Sequence, residues 1–233
     1  MKNIYAIILA RGGSKRVPKK NLKKIDQIPL VGHAIIQAKN SSYINQIIVS
    51  TDDSEIGKVS INYGARIVDR PEHLKNDNTI MEADNILCQV TEDLEARGEK
   101  IDIIVLLYPT APLRKTIKID EAIELVLNQN YDSALSLVED QGYFWRKKSN
   151  KEKLIPFNYD PKKRMPSVMH DFKQFKENKA IYVSTRDLLI NTGCRLGGKI
   201  GYVLMNTLES VDVDTKEDLE LCKILYKRNK SKI

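Results

Sequence analysis

The stretch at residues 4–16 reads IYAIILARGGSKR, in which six apolar or aromatic residues run directly into a turn with two glycines. An unbroken apolar run of this length is typical of a strand that is buried on both faces of a mostly parallel sheet. Runs of the same character return at residues 47–49 and 102–107. The first strand therefore predicts an α/β fold.

Helical patterns alternate with these strands. Apolar residues recur at helical spacing within 30–38 and 80–94, and Asp53 is placed to cap a helix that Gly64 ends. Together the segments predict a doubly wound, mostly parallel sheet with ligands at the carboxyl ends of its strands. Further helices are expected at 117–127 and 216–228, and further strands at 65–68, 133–138, 180–184, 202–205 and 211–213.

Length and composition predict a single domain, residues 1–233. The chain has 233 residues with 42% hydrophobic content, enough for one substantial core. The pattern weakens at about 141–178, which we interpret as an insertion or dimerisation segment within that domain. Because only six apolar residues precede Arg11, too few for a signal peptide or a membrane span, we expect a cytoplasmic protein with no membrane partner. The three cysteines lack metal-ligand spacing.

The charge balance favours an anionic partner. Lysine and arginine outnumber aspartate and glutamate by 38 to 31, which gives a net charge of +7. Phosphates, acidic sugars and nucleic acid all fit this excess. Six of the basic residues crowd into 15–24, directly after the first strand.

The glycine-rich turn is a candidate phosphate cradle. Its two glycines allow close approach of the backbone, and its hydroxyl, guanidinium and ammonium groups can bind a triphosphate. A tight turn with solvated basic side chains is the alternative, and the residues alone favour neither. The turn matches neither the Walker pattern nor the dinucleotide fingerprint.

The motif LARGGSKRVPKKN at residues 9–21 closely resembles the opening motif of the acylneuraminate cytidylyltransferases, the CMP-sialic acid synthetase family. Further matches lie at 50–52, 70–77 and 109–114, so the resemblance covers nearly the whole chain. It implies a nucleotidyltransferase-like fold and binding of CTP. The nucleotide-binding residues it implies are Ala10, Arg11, Gly12, Gly13, Ser14, Lys15, Arg16, Lys20, Asn21, Arg70 and Asp77, of which Arg11 and Lys15 would also be catalytic.

The segment VDVDT at residues 211–215 is the second candidate for chemistry. On an extended segment the carboxylates of Asp212 and Asp214 face the same side, as ligands of one cation would. Spacing alone favours another interpretation, in which Asp214 or Thr215 caps the last helix. The resemblance implies instead that Asp212 and Asp214 are catalytic residues that bind Mg²⁺ together with CTP.

The resemblance also implies the acceptor, a nine-carbon acidic ulosonic sugar of the sialic, legionaminic or pseudaminic acid type, and a homodimer. Tyr108 stands where many members have glutamine, a form similar to the pseudaminic acid branch. Lys179 stands where the family usually has glycine, and the family's Arg-Arg-Gln is absent after Arg164. The sugar-binding residues implied are Tyr108, Thr110, Arg114, Arg164 and Tyr182.

Two alternatives remain at this point. One is a related sugar nucleotidyltransferase, for example one that uses the eight-carbon acid Kdo. The other is a non-catalytic basic module that binds nucleic acid. We expect no nucleic-acid partner, because the basic residues occupy one glycine-rich loop instead of an extended stripe with interleaved aromatic residues.

Overall fold

A computed structural model of the protein describes residues 2–70, 82–147, 149, 153–164 and 173–230. Its main feature is a seven-stranded sheet in the order β11-β7-β10-β6-β1-β4-β5, in which six strands run parallel and β10 is antiparallel to both of its neighbours. The strands are β1 (Ile4–Leu9), β4 (Gln46–Thr51), β5 (Arg66–Asp69), β6 (Ile103–Leu107), β7 (Ser133–Glu139), β10 (Phe175–Thr185) and β11 (Ile200–Leu204).

Helices cover both faces of the sheet, and two short hairpins lie outside it. The helices are α1 (Leu30–Lys39), α2 (Ser54–Asn62), α3 (Glu82–Ala96), α4 (Thr116–Asn128), α5 (Arg186–Thr192) and α6 (Lys216–Lys230). One hairpin pairs β2 (Lys24–Ile25) with β3 (Ile28–Pro29), and the other pairs β8 (Trp145–Arg146) with β9 (Ile155–Pro156).

The first strand explains why the sheet is covered on both faces. Ile4, Ala6 and Ile8 belong to one buried cluster, whereas Tyr5, Ile7 and Leu9 belong to another. Because successive side chains of a strand point to opposite faces, one apolar run supplies two cores. The first cluster includes residues of α1 and α4, and the second includes residues of α3. The doubly wound, mostly parallel fold predicted from the sequence is thereby confirmed.

Some elements differ from the prediction. Residues 211–213 form no strand, because Val213 is tied by its backbone to the Thr110 carbonyl, at 2.8 Å, instead of to a neighbouring strand. Strand β10 begins at Phe175, five residues before the predicted start, since its first residues pair with β7. The β2–β3 hairpin and α5 were not predicted.

The segment at 141–178 carries little regular structure apart from its last residues. Its described part contains the β8–β9 hairpin and a short 3₁₀ helix at Pro161–Lys163, and its end is already part of β10. Its assignment as an insertion or dimerisation segment stays a prediction. In the part of the chain that the structure describes, no helix is both long and apolar enough to cross a bilayer.

Candidate nucleotide-binding site

A cavity of about 520 Å³ opens at the carboxyl ends of the central parallel strands. It lies where β1, β5 and β6 run out into loops, the edge at which open α/β sheets bind their ligands. Its walls come from the loop after β1, the residues after β6, helix α3 and the segment before α6. They include Leu9, Arg11, Ser14, Lys15, Arg16, Val17, Lys20, Asn21, Arg70, Ala83, Ile86, Tyr108, Pro109, Thr110, Lys179, Arg195, Asp212 and Asp214.

The loop after β1 depends on Gly12. Its backbone N–H donates to Asp52 Oδ1 at 2.8 Å, which draws the loop against the end of β4. A Cβ on Gly12 would lie 2.7 Å from Asp53 Oδ2, closer than real contacts allow, whereas a Cβ on Gly13 would meet nothing within 4 Å. Asp53 cannot easily move, because it caps α2 by accepting from the backbone of residues 55 and 56. This close approach explains a glycine at position 12.

Several basic and polar side chains of this loop face the cavity. Ser14 and Lys15 line it and, over the described ranges, their side chains have no hydrogen-bond or ion-pair partner that would compete with a ligand. Asn21 is only 5% exposed, and its side-chain amide donates to the Arg11 carbonyl at 2.9 Å. Of the predicted nucleotide-binding residues, the cavity brings together Arg11, Ser14, Lys15, Arg16, Lys20, Asn21 and Arg70. Ala10, Gly12 and Gly13 shape the loop without lining the cavity, and Asp77 lies outside the described residues.

The acidic segment reaches the cavity because of how Val213 is held. Val213 is fully buried in a small cluster with Ile25, Leu30 and residues of α6. The aspartates on either side of it both line the cavity. The predicted helix cap is formed as well, by Thr215 together with Asp218: Asp218 accepts from the Thr215 backbone at 2.8 Å, and the Thr215 hydroxyl accepts from the Asp218 backbone at 3.2 Å. The two interpretations of this segment are therefore compatible.

Among the described residues, three cations surround these carboxylates. Lys20 Nζ lies 3.0 Å from Asp214 Oδ1, and Arg16 lies 3.4 Å from Asp214 Oδ2. Lys179 Nζ lies 3.1 Å from Asp212 Oδ2 and 3.9 Å from Asp214 Oδ2. Burial by itself would raise the pKa of Asp214, but the hydrogen bond from Lys20 and the neighbouring positive charges outweigh it and hold that pKa below its ordinary value. Asp214 is therefore ionised at neutral pH.

Two carboxylates facing one cavity fit a divalent cation of the Mg²⁺ type. Mg²⁺ is commonly held by one or two carboxylates together with oxygens of a bound phosphate. Lysine and arginine side chains already neutralise Asp212 and Asp214, and a divalent cation would place two positive charges between the carboxylates in a single ion. A self-contained protein site is not formed, since no group of three or more His, Cys, Asp or Glu able to hold a metal occurs among the described residues.

The predicted sugar-binding residues divide into two groups. Tyr108 and Thr110 line the cavity directly after β6. Arg114, Arg164 and Tyr182 do not line it. Arg164 stacks on the ring of Tyr143, 4.5 Å from its centroid, in the segment at 141–178. Their positions do not support contact between these three side chains and a sugar bound in the cavity of their own chain.

Arg114 and Tyr182 are instead buried supports of the cavity wall. Arg114 is 2% exposed and donates to the Ala180 carbonyl at 2.6 Å and to Gln37 Oε1 at 2.7 Å. Burial lowers its pKa to about 9. Tyr182 is also 2% exposed, and its hydroxyl bonds to Glu177. Arg114 bonds through its two terminal nitrogens and Tyr182 through its hydroxyl, so both side chains hold β10 in place behind the residues that face the cavity.

Two charged residues of the cavity, Lys179 and Arg195, were not predicted as site residues. Lys179 could be suspected only from its unusual position where the family has glycine. Arg195 lies after α5 and stacks on Tyr182, 4.5 Å from the ring centroid, while its Nη1 donates to Asp84 Oδ1 at 2.7 Å. No pattern in the sequence connects Arg195 with Asp84, 111 residues earlier.

Fold and cavity together define the class of protein. A glycine-rich basic loop at the end of the first strand, opposite two carboxylates at the same sheet edge, is the arrangement of a nucleotidyltransferase. The family model described as cytidylyltransferase matches residues 5–230, and the chain belongs to this family.

Proteins of this family from animals and bacteria are similar to the chain. It is 33% identical over 219 residues to N-acylneuraminate cytidylyltransferase A of Danio rerio, an alignment that covers 93% of the chain and 49% of the fish protein. The chain thus spans about half the length of that relative. It is 29% identical over 230 residues to pseudaminic acid cytidylyltransferase of Campylobacter jejuni, with 98% of each chain covered.

A solved structure has the same fold. The CMP:2-keto-3-deoxy-manno-octonic acid synthetase complexed with CTP superposes with a TM-score of 0.70 over 98% of this chain and 100% of the other, at 16% identity. The likeness extends over the whole sheet and its helices.

Proposed function

We propose that this chain transfers CMP from CTP to the anomeric hydroxyl of a nine-carbon acidic ulosonic sugar and releases pyrophosphate. The observation that carries this proposal is that the glycine-rich basic loop and the carboxylates of Asp212 and Asp214 face one cavity. Both named relatives, from Danio rerio and Campylobacter jejuni, are cytidylyltransferases of acidic sugars. The net charge of +7 suits two anionic substrates.

The residues divide the work by charge. Arg11, Ser14 and Lys15 bind the triphosphate and stabilise the charge that develops on its oxygens as pyrophosphate leaves. Asp212 and Asp214 would hold Mg²⁺, which when bound neutralises phosphate charge. Asn21, fixed against the backbone of the loop, is proposed to meet the base.

The acceptor is proposed to lie beside Tyr108 and Thr110. These residues follow β6 and stand next to the apolar wall that Ala83 and Ile86 of α3 provide. Sialic, legionaminic and pseudaminic acids all have the anomeric hydroxyl that the reaction requires, and all have a carboxylate that a basic cavity suits. Tyr108, in place of glutamine, keeps an acceptor of the pseudaminic acid type among these three candidates.

A homodimer is part of the proposal. The β8–β9 hairpin leaves large apolar side chains in solvent, with Trp145 47%, Ile155 43% and Phe157 60% exposed. Apolar side chains grouped in this way are typical of a surface that another protein covers. A second copy of the chain would bury them and could bring Arg164 to the partner's cavity.

The test is Mg²⁺-dependent pyrophosphate release from CTP, compared with the other three nucleotides, across a panel of nine-carbon acids and Kdo. Release with CTP and one nine-carbon acid is expected. Release only with Kdo would replace the proposed acceptor, and binding of oligonucleotides without any release would favour the nucleic-acid alternative.

The variant Asp214→Asn tests the role of the carboxylates. It should lower turnover by about 100-fold or more, because a neutral amide holds a divalent cation poorly. The matched control is Asp187→Asn, since Asp187 is 82% exposed and lies on α5, outside the cavity. Normal turnover by Asp214→Asn, with the fold intact by circular dichroism, would remove this residue from the mechanism.

A further inference from the structure

One lysine of the cavity has an unusual backbone conformation inside a long strand. Lys179 lies within β10 but has a φ of 59°, in the left-handed region that favours glycine. The pairing of β10 with β7 shifts in register between Glu177 and Tyr182, so Lys179 stands at a β-bulge. Bulges beside active sites redirect a side chain out of the regular alternation of the strand.

The surrounding structure holds this bulge firmly. Asn178 is 5% exposed; its Oδ1 accepts from the Ser136 hydroxyl at 2.6 Å and from the Ala180 backbone at 3.2 Å, and its Nδ2 donates to the Ser210 hydroxyl at 2.9 Å. Arg114 binds the Ala180 carbonyl on the other side. An unfavourable backbone conformation persists where its neighbours fix it in this way, and such positions cluster at functional sites.

The bulge delivers an ammonium group to the two carboxylates. Lys179 Nζ lies 3.1 Å from Asp212 and 3.9 Å from Asp214. Within the described ranges, the ion pairs of Asp214 also include two residues of the glycine-rich loop, whereas Lys179 is the ion-pair partner of Asp212. A divalent cation held by both carboxylates would need the position that this ammonium occupies.

We infer that Lys179 makes the binding of a divalent cation depend on the nucleotide. This inference rests on the proposed function, in which Asp212 and Asp214 hold the metal. Without nucleotide, the ammonium keeps the carboxylates paired and a metal ion must displace it. A bound triphosphate supplies oxygen ligands for the metal and an acceptor for the displaced ammonium, so the two ligands bind together.

The experiment measures Mn²⁺ binding to the whole chain by electron paramagnetic resonance, first without nucleotide. The variants are Lys179→Gly, which removes both the charge and the strain, and Lys179→Met, which removes only the charge. Both should bind Mn²⁺ about tenfold more tightly than the unaltered protein, as expected when one charge-assisted bond no longer competes. The factor by which Mn²⁺ tightens CTP binding, measured by calorimetry, should fall to the same degree.

Two control variants test whether the loss of any lysine charge, or the relief of any strained backbone, changes Mn²⁺ binding. Lys223→Met removes a half-buried lysine of α6 that pairs with Glu220, and Asn130→Gly relieves a positive φ of 55° away from the cavity. Neither should change Mn²⁺ binding. Since Mn²⁺ also binds CTP in solution, all proteins are compared at the same concentrations.

The outcomes distinguish this inference from the proposed function. If both Lys179 variants bind Mn²⁺ as the unaltered protein does, or if only Lys179→Gly differs, the inference is overturned while the metal site stands. If Asp214→Asn leaves Mn²⁺ binding unchanged even with CTP, the metal assignment fails and the inference fails with it.

Discussion

The glycine-rich loop after β1 and the bulge of β10 meet at the same cavity but owe their shapes to different causes. The loop bends closely against Asp53 because Gly12 has no Cβ, so a local residue choice is enough. The bulge has a lysine where the backbone favours glycine, and it depends on side chains more than 40 residues away, such as Ser136 and Arg114.

The difference teaches where each part of a site can be found. A shape that depends on glycine can be detected as a motif, because the residues that cause it are neighbours in the chain. A shape imposed by tertiary contacts is visible in the sequence only as an unexpected residue at one position, here Lys179 in place of glycine. The predictions below test whether the loop and the bulge depend on these separate causes.

The largest effect is expected at the loop. Gly12→Ala should lower kcat/KM for CTP by about 100-fold, because a Cβ 2.7 Å from Asp53 Oδ2 forces the loop away from its position. Steady-state kinetics with varied CTP provides the measurement. Gly13→Ala is the matched control and should retain most of the activity, since its Cβ would meet nothing within 4 Å. Equal losses in both variants would show that close approach at Gly12 is not the cause.

A smaller effect is expected at the bulge, where the change concerns the stability of the protein instead of its activity. Asn178→Ala should lower the free energy of unfolding by about 2 kcal/mol, because the Ala180 N–H and other buried partners lose hydrogen bonds. Urea denaturation measures the difference. Asn128→Ala, at an exposed position near the end of α4, should change stability by less than about 0.5 kcal/mol. A stable Asn178→Ala protein would mean that the bulge is held by other contacts.

The smallest effect concerns the hairpin that follows the loop. His33 is 5% exposed, its Nε2 lies 3.0 Å from the Ile25 carbonyl, and burial holds its pKa below the ordinary value despite that hydrogen bond. In the unfolded chain the imidazole takes up a proton more readily, so this contribution to stability is present above about pH 6.5 and is lost as pH falls towards the folded pKa.

The measurement compares urea denaturation of the protein and of His33→Gln between about pH 7.5 and about 5.5. The unaltered protein should lose more stability over this range than the variant, which has no titrating group at this position. Equal losses of stability in the two proteins would show that groups other than His33 cause the pH dependence.

Much of the fold could be predicted because its signals are local. The unbroken apolar run of β1 and the helix between Asp53 and Gly64 have sequence patterns that need no tertiary information, and the structure confirms them. The β2–β3 hairpin was missed because its turn uses Asp26 and Gln27 at φ of 49° and 68°, in place of the glycine that usually marks such turns. The prediction of a strand at 211–213 was wrong, because the alternation of apolar and acidic residues there belongs to a loop that packs Val213 against the core.

The site was predictable to the extent that it lies in motifs. Most of the loop residues and both aspartates line one cavity. Arg114 and Tyr182 were predicted to bind the sugar, but their side chains are buried in the cavity wall and bond to other residues of the protein. Lys179 reaches the cavity because of the bulge in β10, and Arg195 is held there by its buried partner Asp84. No local sequence pattern indicates either arrangement.

Strand β10 occupies an interior position of the sheet although it comes late in the chain. It separates β6 from β7, both of which precede it by at least 35 residues. On a ribosome that adds about 5–20 residues per second, the facing edges of β6 and β7 emerge some seconds before the strand that pairs with both. An unpaired strand edge invites pairing with another chain. Nascent chains that stop short of Phe175 would therefore expose two open strand edges, at which they could pair with other chains.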